Sequence, residues 1–159
     1  MPREKSKSVG ARNSNLAERM SRIETVAFFE RRQVAFDNLD AAALAADYTD
    51  DCIVESPSAG TIEGRAGVEK AYRVWFDAFM DMETDTEILL IDGNQVAQVI
   101  RVEGTNIGKF MGLPGSGKRF HFSAVCLFEF RGRQIERERR IYDFTGLLLQ
   151  VGILKAKPF

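Results

Sequence analysis

Cysteine, histidine and tryptophan are scarce in this chain of 159 residues, at two, one and one. Cys52 and Cys126 lie far apart with no CxxC spacing. That excludes a disulfide framework and predicts two free buried thiols in a reducing, cytoplasmic compartment. A single histidine, His121, outside any Cys/His cluster speaks against a dedicated transition-metal site. Excess charge of one sign is also missing. The formal net charge is −1 with 28% charged residues, so no global field draws the chain to nucleic acid or acidic lipid. No apolar run reaches the roughly 18 residues of a membrane span, and the first residues lack the apolar core of a secretory signal. Phenylalanine is what abounds, twelve against three tyrosines, which suits an apolar interior. The length favours one domain able to bury its core without staples.

Residues 1–13 carry Arg3, Lys5, Lys7 and Arg12 among Ser, Gly and Asn, a basic tail expected to be disordered. A single domain is expected over 14–159. Ser14 or Asn15 can cap a first helix running to about Asp37, with Met20, Ile23, Ala27, Phe29 and Phe36 at helical spacing. Asp40 caps a short second helix with Ala41, Leu44, Ala45 and Tyr48 on one stripe. Cys52–Ser56 reads as a short strand ended by Pro57. A third helix follows Gly64-Arg65-Ala66-Gly67, its apolar face being Val68, Ala71, Tyr72, Trp75 and Phe79.

After Phe79 the hydrophobic period changes to two. Four long strands are predicted at 84–91, 95–105, 119–130 and 134–142, with turns at Asp92-Gly93 and Arg131-Gly132. Phe144–Val151 reads as a last helix ended by Gly152. Helices first and then an antiparallel meander is an α+β pattern. Gly112–Lys118 has the outline of a phosphate-binding loop. Arg119 stands where that motif needs Ser or Thr, and a strand follows where it needs a helix, so the loop is read as a strand connection.

Two stretches carry a resemblance: Gly104-Thr105-Asn106-Ile107-Gly108-Lys109-Phe110-Met111-Gly112-Leu113-Pro114, continuing to Lys118-Arg119-Phe120, and Asp143-Phe144-Thr145-Gly146-Leu147-Leu148-Leu149-Gln150-Val151-Gly152. Over about residues 20–154 the chain resembles the SnoaL-like polyketide cyclases, within the nuclear-transport-factor-2-like fold. The resemblance implies a cone: a curved antiparallel sheet wrapped around N-terminal helices, with an internal pocket for a small molecule. It departs at Asn106, where relatives often place His, and at Gly115, where many have Pro. The family's catalytic carboxylate falls at Arg140, and a supporting His falls at Cys126. The base of the related ketosteroid isomerases falls at Ser56. Arg donates only, and neutral Ser needs a base of its own.

Strand alternation puts Glu138, Arg140 and Tyr142 on one face of the last strand, the face that the resemblance turns inward. An inward guanidinium must be paired. Arg140 is then a donor fork for a ligand carboxylate, carbonyl or enolate, or half of a structural pair with Glu138, or a side chain turned out by a bulge. Glu138 is the leading general-base candidate; Glu55 alternates outward if Ser56 points in. Asp143 reads as a helix cap or a pocket acid. His121 has the parity of the convex face and is expected at a surface or an interface. Tyr48, Tyr72, Trp75, Phe79 and Phe110 are core or pocket wall, and Asn106 is a rim donor.

Three functions remain open at this stage. The first is a cofactor-free cyclase or isomerase acting on an apolar, carbonyl-bearing, polyketide-like molecule through Arg140, Glu138 and Asp143, with epoxide-hydrolase-like hydrolysis as a variant. Its pocket would be lined by Tyr48, Ser56, Tyr72, Trp75, Phe79, Asn106, Phe110, Cys126 and Tyr142. The second is a carrier or binding module without catalysis. The third is a structural dimer whose cone is filled by Phe. A homodimer through the convex face is expected in any of them.

Overall fold

The computed structural model describes residues 19–156. The expected basic tail and the Ser14 or Asn15 cap lie outside those residues. Helix α1 runs Arg22–Asp37 and is capped by Ser21. Ser21 Oγ accepts from the Glu24 amide at 3.2 Å, and Glu24 Oε2 accepts from the Ser21 amide at 2.8 Å. This reciprocal box satisfies two end donors and contributes about 1 kcal/mol. The buried face is Thr25, Phe28, Phe29, Arg32 and Ala35; of the expected stripe Phe29 is buried and Met20 and Phe36 pack against the core, while Ile23 is 82% exposed. The strands decide the difference, since Phe28 and Phe29 set their rings edge-on against Phe130 and Phe128 at 5.1 and 5.2 Å.

Helix α2, Ala41–Ala46, starts at Asp40, whose Oδ1 accepts from the Ala43 amide at 2.9 Å. Tyr48 does not continue it but opens strand β1, Tyr48–Ser56. A short strand β2, Gly60–Glu63, folds back on β1, an element hidden from the sequence by its length. Helix α3 is Gly64–Ala78 and buries Val68, Tyr72 and Phe76; Phe79 is its buried C-cap. Strands β3 (Glu83–Asp92), β4 (Gln95–Thr105), β5 (Arg119–Arg131) and β6 (Gln134–Tyr142) follow, then helix α4, Phe144–Gln150. Gly93 and Gly132 take φ of 61° and 62° in the hairpin turns, where a Cβ would be strained.

The six strands form one curved, unclosed sheet in the order β2-β1-β6-β5-β4-β3. Every pair is antiparallel except β1 with β6, which is parallel. That exception lets the chain leave through α3 and return by the meander to lay its last strand beside its first. Cys126 therefore sits between Gln98 on β4 and Arg140 on β6, and Glu138 sits between Phe128 and Val54. Even-numbered residues of β5 from Phe120 to Phe130 face the helices, while odd-numbered ones face outward. None of the described helices is long and apolar enough to cross a membrane.

Candidate ligand cavity and buried arginine network

Glu138 and Arg140, two apart on β6, both face inward, with side chains 2% and 13% exposed. Arg140 Nε donates to Glu138 Oε1 at 2.8 Å and Nη2 donates to Oε2 at 3.0 Å. This is a charge-assisted fork; no bulge turns the arginine out. Tyr48 gives its proton to Glu138 Oε2 at 2.6 Å. With that proton committed, the 3.2 Å contact between the Tyr48 and Tyr72 hydroxyls has Tyr72 as donor. The Tyr72 oxygen accepts from Arg140 Nη2 at 3.1 Å and from Arg32 Nη2 at 3.2 Å.

Arg32 extends the network back through α1. Its Nη1 donates to Asp47 Oδ2 at 2.8 Å and to the Leu44 carbonyl at 3.2 Å. Asp47 also accepts from Arg31 at 2.6 Å, at the surface. Two buried guanidiniums thus face two buried carboxylates, bridged by two phenols. Such a cluster is tolerable in an apolar interior only because every charge has a partner.

Electrostatics follow from the partners. Burial alone would push the Glu138 carboxyl up, but Arg140, the Tyr48 hydroxyl and Arg32 hold it below its ordinary value. Burial and the Glu138 charge push the Tyr48 phenol well up and the Cys126 thiol up to about 12. Burial works against the Arg140 charge, yet Glu138 keeps it firmly protonated. Glu138 has both oxygens engaged and a depressed pKa, which makes it a weak base at direct contact.

Arg140 leaves one nitrogen unspent. Nη1 donates to nothing among the described residues. It is not sealed in protein either, since Thr49 Oγ1 is the one described side-chain atom buried without a partner. Arg140 and Trp75 together border two cavities. The inner one, about 80 Å³, is lined by Tyr72, Gln98, Ala124, Cys126, Glu138 and Tyr142 among others. The second, about 240 Å³, is lined by Ser56, Ser58, Ile62, Phe110 and Met111. At their junction Tyr142 donates to Ser58 Oγ at 3.0 Å, and Ser58 lies 3.1 Å from Ser56 Oγ. A larger concavity, about 560 Å³, lies on the outer face of the sheet among Leu90, Leu127, Arg137 and Arg139. It is cut off from the Arg140 guanidinium by the sheet itself.

Of the residues expected from sequence, Tyr72, Trp75, Cys126, Glu138, Arg140 and Tyr142 meet at the inner cavity, and Ser56 and Phe110 at the second. Others stand elsewhere. Tyr48 and Phe79 are 0% exposed and belong to the core. Asp143 is exposed, and its Oδ1 caps α4 through the Gly146 amide at 2.8 Å. Asn106 is no rim donor: 1% exposed, it donates to the Gly108 carbonyl and accepts from the Ser116 amide and hydroxyl. It ties down the 106–118 loop, which brings Phe110 and Met111 to the cavity wall. Gly115 is required there, since a Cβ would collide with the Ile107 carbonyl. Lys118 and Arg119 are exposed and lead into β5. His121 is exposed on the outer face, and its backbone bonds the Gln150 side chain at 2.9 and 3.0 Å. Glu55 faces outward and pairs with Arg139 at 2.6 Å.

Arg32, Asp47, Gln98 and Ser58 escaped the sequence reading. Two had a visible signal. Arg32 is a charge on the stripe of Phe28, Phe29, Ala35 and Phe36, and Gln98 is the polar member of the β4 face that holds Val96, Ile100 and Val102.

Comparison with known proteins agrees with this architecture. No curated protein matches the chain in sequence. The structure is similar to TsrD from Streptomyces laurentii (TM-score 0.75, 21% identity, covering 85% of this chain and 99% of that one). It is similar to a SnoaL-like polyketide cyclase from Agrobacterium tumefaciens (TM-score 0.63, 21% identity, 79% and 95%). It also resembles a protein of ketosteroid isomerase-like fold from Catenulispora acidiphila, solved with trimethylamine (TM-score 0.67, 17% identity, 79% and 92%). At these identities the likeness establishes the fold. The family model for SnoaL-like polyketide cyclases matches residues 27–151, and the chain belongs to that family.

Proposed function

We propose that this protein is a cofactor-free enzyme of the SnoaL-like family that moves a proton on an apolar, carbonyl-bearing, polyketide-like molecule, coupled to cyclisation or isomerisation. The observation that carries the reading is the division of labour within Arg140. Nε and Nη2 are locked onto Glu138 and Tyr72, while Nη1 is left to the cavities. A guanidinium so fixed is a preorganised donor for the oxygen that gains charge as a carbonyl becomes an enolate.

The proton needs a separate route, because Glu138 is saturated and the family's usual base seats hold Arg140 and Ser56. The Tyr72–Tyr48–Glu138 chain supplies one. As the substrate C–H bond breaks, its electron pair moves to the enolate oxygen beside Arg140. Arg32 Nη2 turns from Tyr72 to the Tyr48 oxygen, 3.4 Å away, and so frees a lone pair on Tyr72 for the substrate proton; the Tyr72 proton passes to Tyr48, and the Tyr48 proton to Glu138 Oε2. Reversal of the chain returns a proton to the product. Asp143 has no part in this scheme, being committed to its helix. A homodimer formed through the outer sheet face, where Leu90 and Ile141 are 63% and 50% exposed, completes the proposal; a monomer at every concentration in sedimentation would remove that element.

The test is turnover of a panel of polyketide-like ketones and of epoxides by the wild type, Arg140→Ala, Tyr72→Phe and Glu138→Gln. Each change is expected to cost 10²-fold or more, the usual range for losing an oxyanion donor or a general acid–base group. Turnover indifferent to all three removes the site. One observation favours a second reading, a structural dimer whose cone is filled by its own Phe side chains. The inner cavity, about 80 Å³, is well below the ~300 Å³ usual for ligand pockets. Failure of every compound in the panel to bind would select that reading, whereas a ligand retained from the source and recovered unchanged after long incubation would point to a binding module.

A further inference from the structure

The register of β4, β5 and β6 sets Gln98, Cys126 and Arg140 abreast. With strands about 4.8 Å apart, the Cα atoms of Gln98 and Arg140 are separated by roughly 10 Å. All three side chains line the same inner cavity. Gln98 is 8% exposed on an otherwise apolar face. Its amide nitrogen donates to Thr86 Oγ1 at 2.9 Å, and Oε1 accepts from nothing among the described residues. A buried amide oxygen left bare costs free energy that an apolar residue in its place would avoid. Like Arg140 Nη1, it is absent from the atoms sealed inside protein, so it opens to the cavity.

The cavity therefore has a donor at one end and an acceptor at the other. Cys126 and Ala124 form a flat, low-polarity floor, and Trp75 and Phe36 wall it. We propose that Gln98 is the specificity residue of this cavity. It selects ligands whose ring carries a hydroxyl donor opposite the carbonyl that Arg140 holds, a hydroxyaryl or hydroxy-enone ketone. This rests on the reading of the cavity as a carbonyl-binding site. A wholly apolar ring leaves Gln98 Oε1 unsatisfied and is disfavoured, because a site built to accept a hydroxyl discriminates against its absence.

The probes are 4-hydroxyacetophenone and 4-methylacetophenone, of closely similar shape but with and without the donor, titrated into the full-length protein by calorimetry or NMR. The wild type is expected to favour the hydroxyl compound by about tenfold, the worth of one net hydrogen bond. Gln98→Leu erases the preference while the methyl compound still binds; Gln98→Glu, an acceptor only, retains it. Gln98→Met, nearer in length, serves if the leucine variant does not fold. A preference that survives Gln98→Leu or Gln98→Met, or a wild type that does not discriminate, overturns the inference. The parent reading has its own control: Arg140→Gln weakens both ketones alike. A wild type that binds neither ketone, or Arg140→Gln binding both as before, overturns the carbonyl site and Gln98's role with it.

Discussion

The phenol of Tyr48, first residue of β1, donates at 2.6 Å to the carboxylate of Glu138, ninety positions later on β6, and both side chains are buried. The parallel pairing of β1 with β6 makes the contact possible. It joins the helical layer to the arginine at the cavity wall.

Tyr48→Phe removes that bond and little volume. The carboxylate keeps Arg140 but loses a hydrogen bond to a buried charge. A loss of about 1.5–3 kcal/mol is expected in urea unfolding, with an unchanged m-value. A change within error would mean that the phenol contributes nothing to holding the carboxylate.

Acid stability carries a second signature. Glu138 is held below its ordinary value of 4.5 in the folded protein. The unfolded chain therefore binds its proton first as pH falls. The stability from this group is complete above about 4.5 and is lost as pH drops from there through the lower folded value. Glu138→Gln should lose this group's share of the acid slope, so unfolding free energies of the two proteins converge as pH falls below 4.5. Parallel curves would show that the partners do not depress this carboxyl.

The ion pair should behave as a unit. Glu138→Leu leaves a buried guanidinium uncompensated, and Arg140→Met leaves a buried carboxylate; each is expected to cost about 3–5 kcal/mol. The double variant should be more stable than either single one, because removing both charges removes both desolvation penalties. Additive losses in the double-mutant cycle would contradict a coupled pair.

Cys126 reports on the interior. Both cysteines are free and buried, and the Cys126 thiol is pushed up to about 12 by burial and by Glu138. Its modification by a thiol reagent at neutral pH should be limited by opening of the fold and accelerate sharply in denaturant. Rapid labelling of the native protein would place the thiol in contact with solvent.

The period-two strands at 95–105 and 134–142 were readable to the residue, because alternating side chains and Gly turns are local properties. The same alternation puts Glu138 and Arg140 on one face, and the family resemblance turns that face inward. The face that α1 buries is not local: its expected stripe runs through Ile23 and Ala27, and only the facing Phe128 and Phe130 rings select the Phe28, Arg32 and Ala35 side instead. Tyr48 departs from its local pattern for a related reason: its spacing continues the α2 stripe, yet pairing with β6 draws it into a strand.

By itself, the sequence determined the α+β architecture, the long strands, the family and the placing of Glu138 and Arg140 on one face of the last strand. Propensity, period and motif are written in neighbouring residues, so they need no partner to be read. The tertiary structure alone decided that Arg32, Asp47, Tyr48 and Tyr72 converge on that pair, that Asp143 and Asn106 serve the backbone instead, and that Gln98 faces Arg140 across Cys126. Those are contacts between segments far apart in the chain, set by strand order and register, and register is a property of the assembled sheet.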